Sequence, residues 1–172
     1  MVNDNDPNAG DWPTPELLGR LFDRYAAPLE LFARQWCDCA EDVVQESLIE
    51  LAGQPRLPDD PAAWLYRVVR NRAITAWRSS QRRRRHETAA VGDRSAFERS
   101  AGDRLDADVA AAALESLSIK LREVVVARIW GGLTFQQIGK LVGVSDSAAH
   151  RRYEAALSAL REKLRTLCPK ND

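Results

Sequence analysis

The chain lacks an excess of charge of either sign: 25 lysines and arginines balance 25 aspartates and glutamates over 172 residues. At first sight that speaks against a polyanionic partner. It also lacks any run of about 18 apolar residues, which excludes a helical membrane span. The opening "MVNDNDPNAGDWPTP" has neither the basic start nor the apolar stretch of a secretory signal, so the expected location is the cytoplasm, with no membrane insertion. Cysteine is scarce, with Cys37, Cys39 and Cys168 making an odd count that argues against a disulfide framework. Cys37 and Cys39 cannot complete a zinc site by themselves, and Cys168, His86 and His150 are distant in sequence, so reduced thiols and no metal or other cofactor are expected. There is no strand-borne serine, histidine pair or phosphate-binding glycine loop to support an enzyme such as a serine recombinase. No catalytic residues are assigned.

What is present is helical periodicity. The chain is 45% hydrophobic, enough to bury a core, and its apolar residues recur at helical spacing with no segment of clean alternation, which predicts an all-helical fold. Thr14 followed by Pro15 reads as a cap and first turn, with Leu17, Leu18, Leu21, Phe22 and Tyr25 on one face. Pro28 is expected to kink or interrupt this helix before Leu31, Phe32 and Trp36 continue it. Asp38 and Glu41 have capping-box spacing and open a second helix with Val44, Ser47, Leu48 and Leu51 inward. Asp60 and Pro61 start a third, in which Trp64, Leu65, Val68, Val69 and Trp77 pack while the arginines face out. The organisation expected is a disordered tail over 1–14, a helical unit over 15–85, a flexible linker over 86–106 and a second unit over 107–168. Helices in the second unit are predicted at 107–116, 119–130, 135–142 and 146–166.

Within that second unit, "LTFQQIGKLVGVSDSAAHRRY" (133–153) reads as two helices around a tight corner. Thr134 and Gln137 have capping-box spacing, Gly139 leaves room for close approach, Gly143 can take the left-handed conformation, and Ser145 caps the next helix. This is the spacing of a helix-turn-helix, whose second helix can enter a DNA major groove; a plain helical corner has the same pattern. The balanced total charge also hides a stripe. From Arg67 to Arg85 there are eight arginines and no acidic residue, a stripe that can contact phosphate; Trp64, Tyr66 and Trp77 lie beside or among these residues, where core packing is favoured over base stacking. Carboxylates gather elsewhere, in the tail and from Asp93 to Asp108, where they could cover the stripe in the free protein.

The two halves together resemble the extracytoplasmic-function sigma factors, the small two-domain group of the bacterial sigma-70 family. "LFDRYAAPLELFARQWCDCAEDVVQESLIELA" and "DDPAAWLYRVVRNRAITAWRSSQRR" are similar to region 2, and "LESLSIKLREVVVARIWGGLTFQQIGKLVGVSDSAAHRRYEAALSALREKL" to region 4, although Ser118 stands where the family commonly has proline. The resemblance implies partners: core RNA polymerase, through the clamp helices and flap of its large subunits, promoter DNA, and an anti-sigma factor. It implies that Asp42, Val43, Val44, Gln45 and Glu46 bind polymerase. It implies that Arg67, Arg70, Asn71, Arg72 and Arg78 serve the -10 element. For the -35 element it points to Thr134, Gln136, Ser147, His150, Arg151 and Arg152, the last on phosphate. The alternative is a free-standing helix-turn-helix repressor or activator, which would bind a palindrome without polymerase.

Overall fold

Thr14 caps the first helix as its spacing requires: its Oγ1 accepts from the Leu17 amide at 3.3 Å, Pro15 takes the first helical position, and α1 runs Pro15–Ala33. The computed structural model describes residues 13–86 and 104–167, and among these are seven α-helices and no strand. The interruption expected as one outcome at Pro28 does not occur, since α1 runs through it. Leu29, Phe32 and Ala33 are fully buried just beyond it, and their packing offsets the lost amide. Trp36 does not continue the helix; it lies in the following turn, edge-on to Phe32 at a centroid distance of 5.1 Å.

The second helix, α2, spans Ala40–Ala52 and begins without the expected Asp38 cap. Cys39 is its N-cap residue and makes no side-chain capping bond. Glu41 and Asp42 in the first turn complement the helix dipole instead, so charge replaces the cap. The third, α3, spans Pro61–His86, and Asp60 Oδ1 accepts from the Ala63 amide at 3.0 Å. Leu65, Tyr66, Val69 and Ala73 of α3 are fully buried, and the core ends there. Trp77, expected to pack, therefore stays 45% exposed.

The second half holds α4 (Arg104–Glu115), α5 (Ile119–Ile129), α6 (Phe135–Val142) and α7 (Asp146–Leu167), close to the expected bounds except that α4 starts three residues earlier. Residues 1–12 of the expected tail, most of the linker, and Cys168 lie outside the described residues, while Thr14, placed in the tail, caps α1. No helix among the described residues is long and apolar enough to cross a membrane.

Packing joins the halves. One continuous apolar cluster holds Phe32, Leu65 and Tyr66 from the first half with Val124, Val126 and Leu133 from the second. α5 is the shared element: its residues Glu123 to Ala127 are all buried, and Val125 faces a smaller cluster with Leu114, Leu117 and Ala156. Behind α5, Gly131 meets the Tyr66 ring so closely that a Cβ there would lie 2.6 Å from its Cζ and hydroxyl. Phe32, wholly buried and edge-on to both Trp36 and Tyr66, anchors this region. Phe32→Ala should therefore cost about 3–5 kcal/mol, read as a fall in the urea midpoint with unchanged slope. A loss below about 1 kcal/mol would show that Phe32 is not a core anchor.

Candidate nucleic-acid interface

The exposed face of α2 carries Asp42, Gln45 and Glu46, spaced to lie together on one side of the helix. Val43 and Val44, grouped with them from the sequence, are turned the other way and buried in the core. The reason is the helical period: with Ser47 and Leu51 facing inward, both valines fall on the inner side. They hold the face from behind instead of contributing to it.

Across an open groove of about 500 Å³, lined in part by Asp42, Glu46, Asn71, Arg72 and Thr75, stands α3. Arg67, Asn71 and Arg78 are exposed along it. Arg72 is not free: its guanidinium donates to Glu46 at 2.5 Å and to Glu50 at 2.7 Å, both from α2. Arg70 is not free either. Its Nε donates at 2.9 Å to Oε1 of Glu123 on α5, while the guanidinium lies 5.8 Å from the Trp36 ring centroid. The expectation that all the stripe arginines face out thus fails at Arg70 and Arg72. Carboxylates do cover part of the stripe, from α2 and α5; the tail and linker expected to do so lie outside the described residues.

Glu123 is the residue that sequence reasoning missed. Its side chain is 5% exposed. Burial pushes its carboxyl pKa up, and the charges of Arg70 and Arg152, with the Arg70 hydrogen bond, pull the other way. The only local signal is periodicity: Glu123 sits three and four residues before the buried Val126 and Ala127, on their face of the helix. Burial also raises the Cys37 thiol, to about 12 with help from Cys39, so it stays protonated at neutral pH.

The helical corner in the second half has the geometry its sequence calls for. The Gln137 amide donates to Thr134 Oγ1 at 3.2 Å and the Thr134 amide to Gln137 Oε1 at 2.5 Å, completing the capping box. Gly143 takes φ 73°, a left-handed conformation that ends α6. Ser145 Oγ accepts from the Ala148 amide at 3.2 Å and starts α7. Thr134 is committed to its cap, whereas Gln136, Ser147, His150 and Arg151 are exposed around the corner. His150 is also positioned from beneath, its ring edge-on to Phe135 at 4.8 Å. Arg128 packs on that ring as well, its guanidinium 4.7 Å from the centroid. Arg152 is half-buried and faces inward enough to act on Glu123, apart from the outward set.

Two family models match the chain: Sigma-70 region 2 over residues 21–83 and Sigma-70, region 4 over residues 113–162. Among solved structures, the chain is similar to the sigma factor RpoE of Bartonella quintana, crystallised with the anti-sigma factor NepR. The match has 21% identity and a TM-score of 0.70, and covers 92% of this chain and 100% of that one. It is also similar to CnrH, solved in complex with the cytosolic domain of CnrY, at 24% identity and a TM-score of 0.57, covering 96% and 94% of the two chains. A search of the curated proteins found no match.

The close corner makes one prediction about its own stability. A Cβ on Gly139 would lie 2.7 Å from the Val144 carbonyl oxygen, a contact with backbone that cannot swing aside. Gly139→Ala should destabilise the second half by about 1–3 kcal/mol, seen as a lowered thermal midpoint. An unchanged midpoint would mean the corner is looser than described.

Proposed function

The chain belongs to the sigma-70 family, carrying its region 2 followed by its region 4, and from that premise we propose that it is an extracytoplasmic-function type sigma factor that directs core RNA polymerase to promoters. The observation that carries the reading is the ordered pair of matches on two helical units, each with its own exposed polar surface. The protein acts in the cytoplasm as an initiation factor, and bond-making belongs to the polymerase.

The residues divide the work by chemistry. Asp42, Gln45 and Glu46 offer an acidic, hydrogen-bonding helix face for a basic surface on the polymerase clamp. Arg67, Asn71 and Arg78, with Arg70 and Arg72 once released, supply cations and an amide for the -10 strand as it separates. Gln136, Ser147, His150 and Arg151 stand where the second helix of a helix-turn-helix meets base edges and backbone in a major groove. Arg152 adds phosphate contact when it turns outward. Each set binds weakly alone, and polymerase, by holding both at promoter spacing, supplies avidity. The two solved relatives were each captured with a partner, NepR in the first case being an anti-sigma factor, and a partner of that kind is proposed here as well. The repressor or activator reading has less support, because the first half matches region 2 in place of a sensor or dimerisation unit.

The deciding experiment is transcription from genomic DNA fragments by purified core polymerase, with and without the protein. New starts that share two motifs at fixed spacing are the expected result. No starts, with the protein alone footprinting a palindrome, would replace this reading with the repressor. At residue level, Asp42→Arg should weaken polymerase binding at least about tenfold while leaving DNA contacts alone. His150→Ala or Arg151→Ala should change preference at particular base pairs by about 1–3 kcal/mol, whereas Arg152→Ala should weaken all sequences alike. Uniform losses in all three would refute the division between base and phosphate contacts.

A further inference from the structure

One buried carboxylate feels two arginines assigned to different promoter elements. Arg70 of α3 bonds to Glu123 of α5 at 2.9 Å, and Arg152 of α7 acts on the same group. The Arg70 bond links parts of the chain that the promoter would hold far apart. Elements named for positions 35 and 10 before the start lie roughly 25 base pairs apart, or about 85 Å at about 3.4 Å per step. A compact body of this length has a radius of gyration of only about 16 Å. A chain with Arg70 on Glu123 cannot reach both elements. The closure has a second tie at the same seam, where the Gln137 side-chain amide donates to Asp60, joining the α6 capping box to the start of α3.

We propose that Glu123 is an internal latch: in the free protein it holds Arg70 of the first DNA-facing helix, with the charge of Arg152 from the second acting on it as well, and keeps the two halves in a closed form unable to engage a promoter. The proposal rests on the sigma reading for what the arginines do once released, and on geometry alone for the closure. The latch is built to open. A buried carboxylate carries a large desolvation cost that its partners only partly offset, so the contact selects the closed geometry without making it deep. The Tyr66 hydroxyl adds to this, being buried at the Gly131 seam with no hydrogen-bond partner among the described residues. Phosphate presents Arg70 and Arg152 with the same geometry as a carboxylate and can take Glu123's place once polymerase draws the halves apart. Glu123 is therefore a positioning residue, without contact to DNA.

The test compares the full-length wild type with Glu123→Lys, which sets a cation against both arginines, and with Glu162→Lys, which makes the same change of charge at an exposed site on α7. Small-angle X-ray scattering reads closure, and binding to a single-stranded -10 oligonucleotide reads release. Glu123→Lys should scatter as a larger, more extended particle and bind about tenfold more tightly than Glu162→Lys, while the wild type stays compact. Unchanged scattering in Glu123→Lys, or equal gains in the two lysine variants, would overturn the latch. If Glu123→Lys loses its helical circular dichroism, Glu123→Gln decides: a particle larger than wild type with about threefold tighter binding supports the latch, and behaviour identical to wild type overturns it. Expansion of the Glu123 variants with no DNA binding by any form would instead overturn the sigma reading and leave the closure standing.

Discussion

The packing of the Tyr66 ring against Gly131 is the constraint on which the closed arrangement depends. Only glycine leaves room there, and the close approach brings α5 against the first half so that its valines complete a core begun by Phe32 and Leu65. With α5 in that place, Glu123 is carried inward to Arg70, and the capping box of α6 is carried to Asp60. Apolar burial supplies the attraction, roughly 25 cal/mol for each Å² removed from water. The polar contacts decide which residues end opposite one another.

A balanced total charge takes on a different meaning in this light. It argues against a polyanionic partner only if charges of both signs are spread evenly. Here Glu46, Glu50 and Glu123 sit directly on stripe arginines, so neutrality is partly internal pairing. The pairs differ in kind. Arg72 with Glu46 and Glu50 is partly exposed, exchangeable and weak, and one of its carboxylates lies on the proposed polymerase face. Arg70 with Glu123 is desolvated, costly to form and specific in geometry. On the proposed reading a promoter would compete with both for the same cations. Polymerase docking on Glu46 would therefore loosen Arg72 by drawing away one of its partners.

The helix-turn-helix is almost entirely legible in the amino-acid sequence. Its determinants are local: a threonine and a glutamine three apart, a glycine where φ must be positive, and a serine ahead of the next helix. Each acts within one turn of backbone. The same locality explains the misses. Asp38 and Glu41 have the spacing of a cap, yet the chain starts α2 a residue later, where two acidic residues meet the dipole. Pro28 predicts an interruption that the burial of Leu29, Phe32 and Ala33 overrides. Val43 and Val44 adjoin Asp42, Gln45 and Glu46 in sequence but lie on the opposite side of the helix.

By itself the sequence determined that this is an all-helical chain carrying two family regions in order, and where most of its helices begin and end. Those properties follow from interactions among residues three or four apart, which any stretch of chain carries with it. Only the tertiary structure decided which of the stripe arginines are exposed and which are paired. Arg70 and Glu123 are 53 residues apart along the chain, and Gln137 and Asp60 are 77 apart. No local rule pairs residues at such separations; they meet because burying the apolar faces of α1, α3 and α5 together brings their polar neighbours within bonding distance.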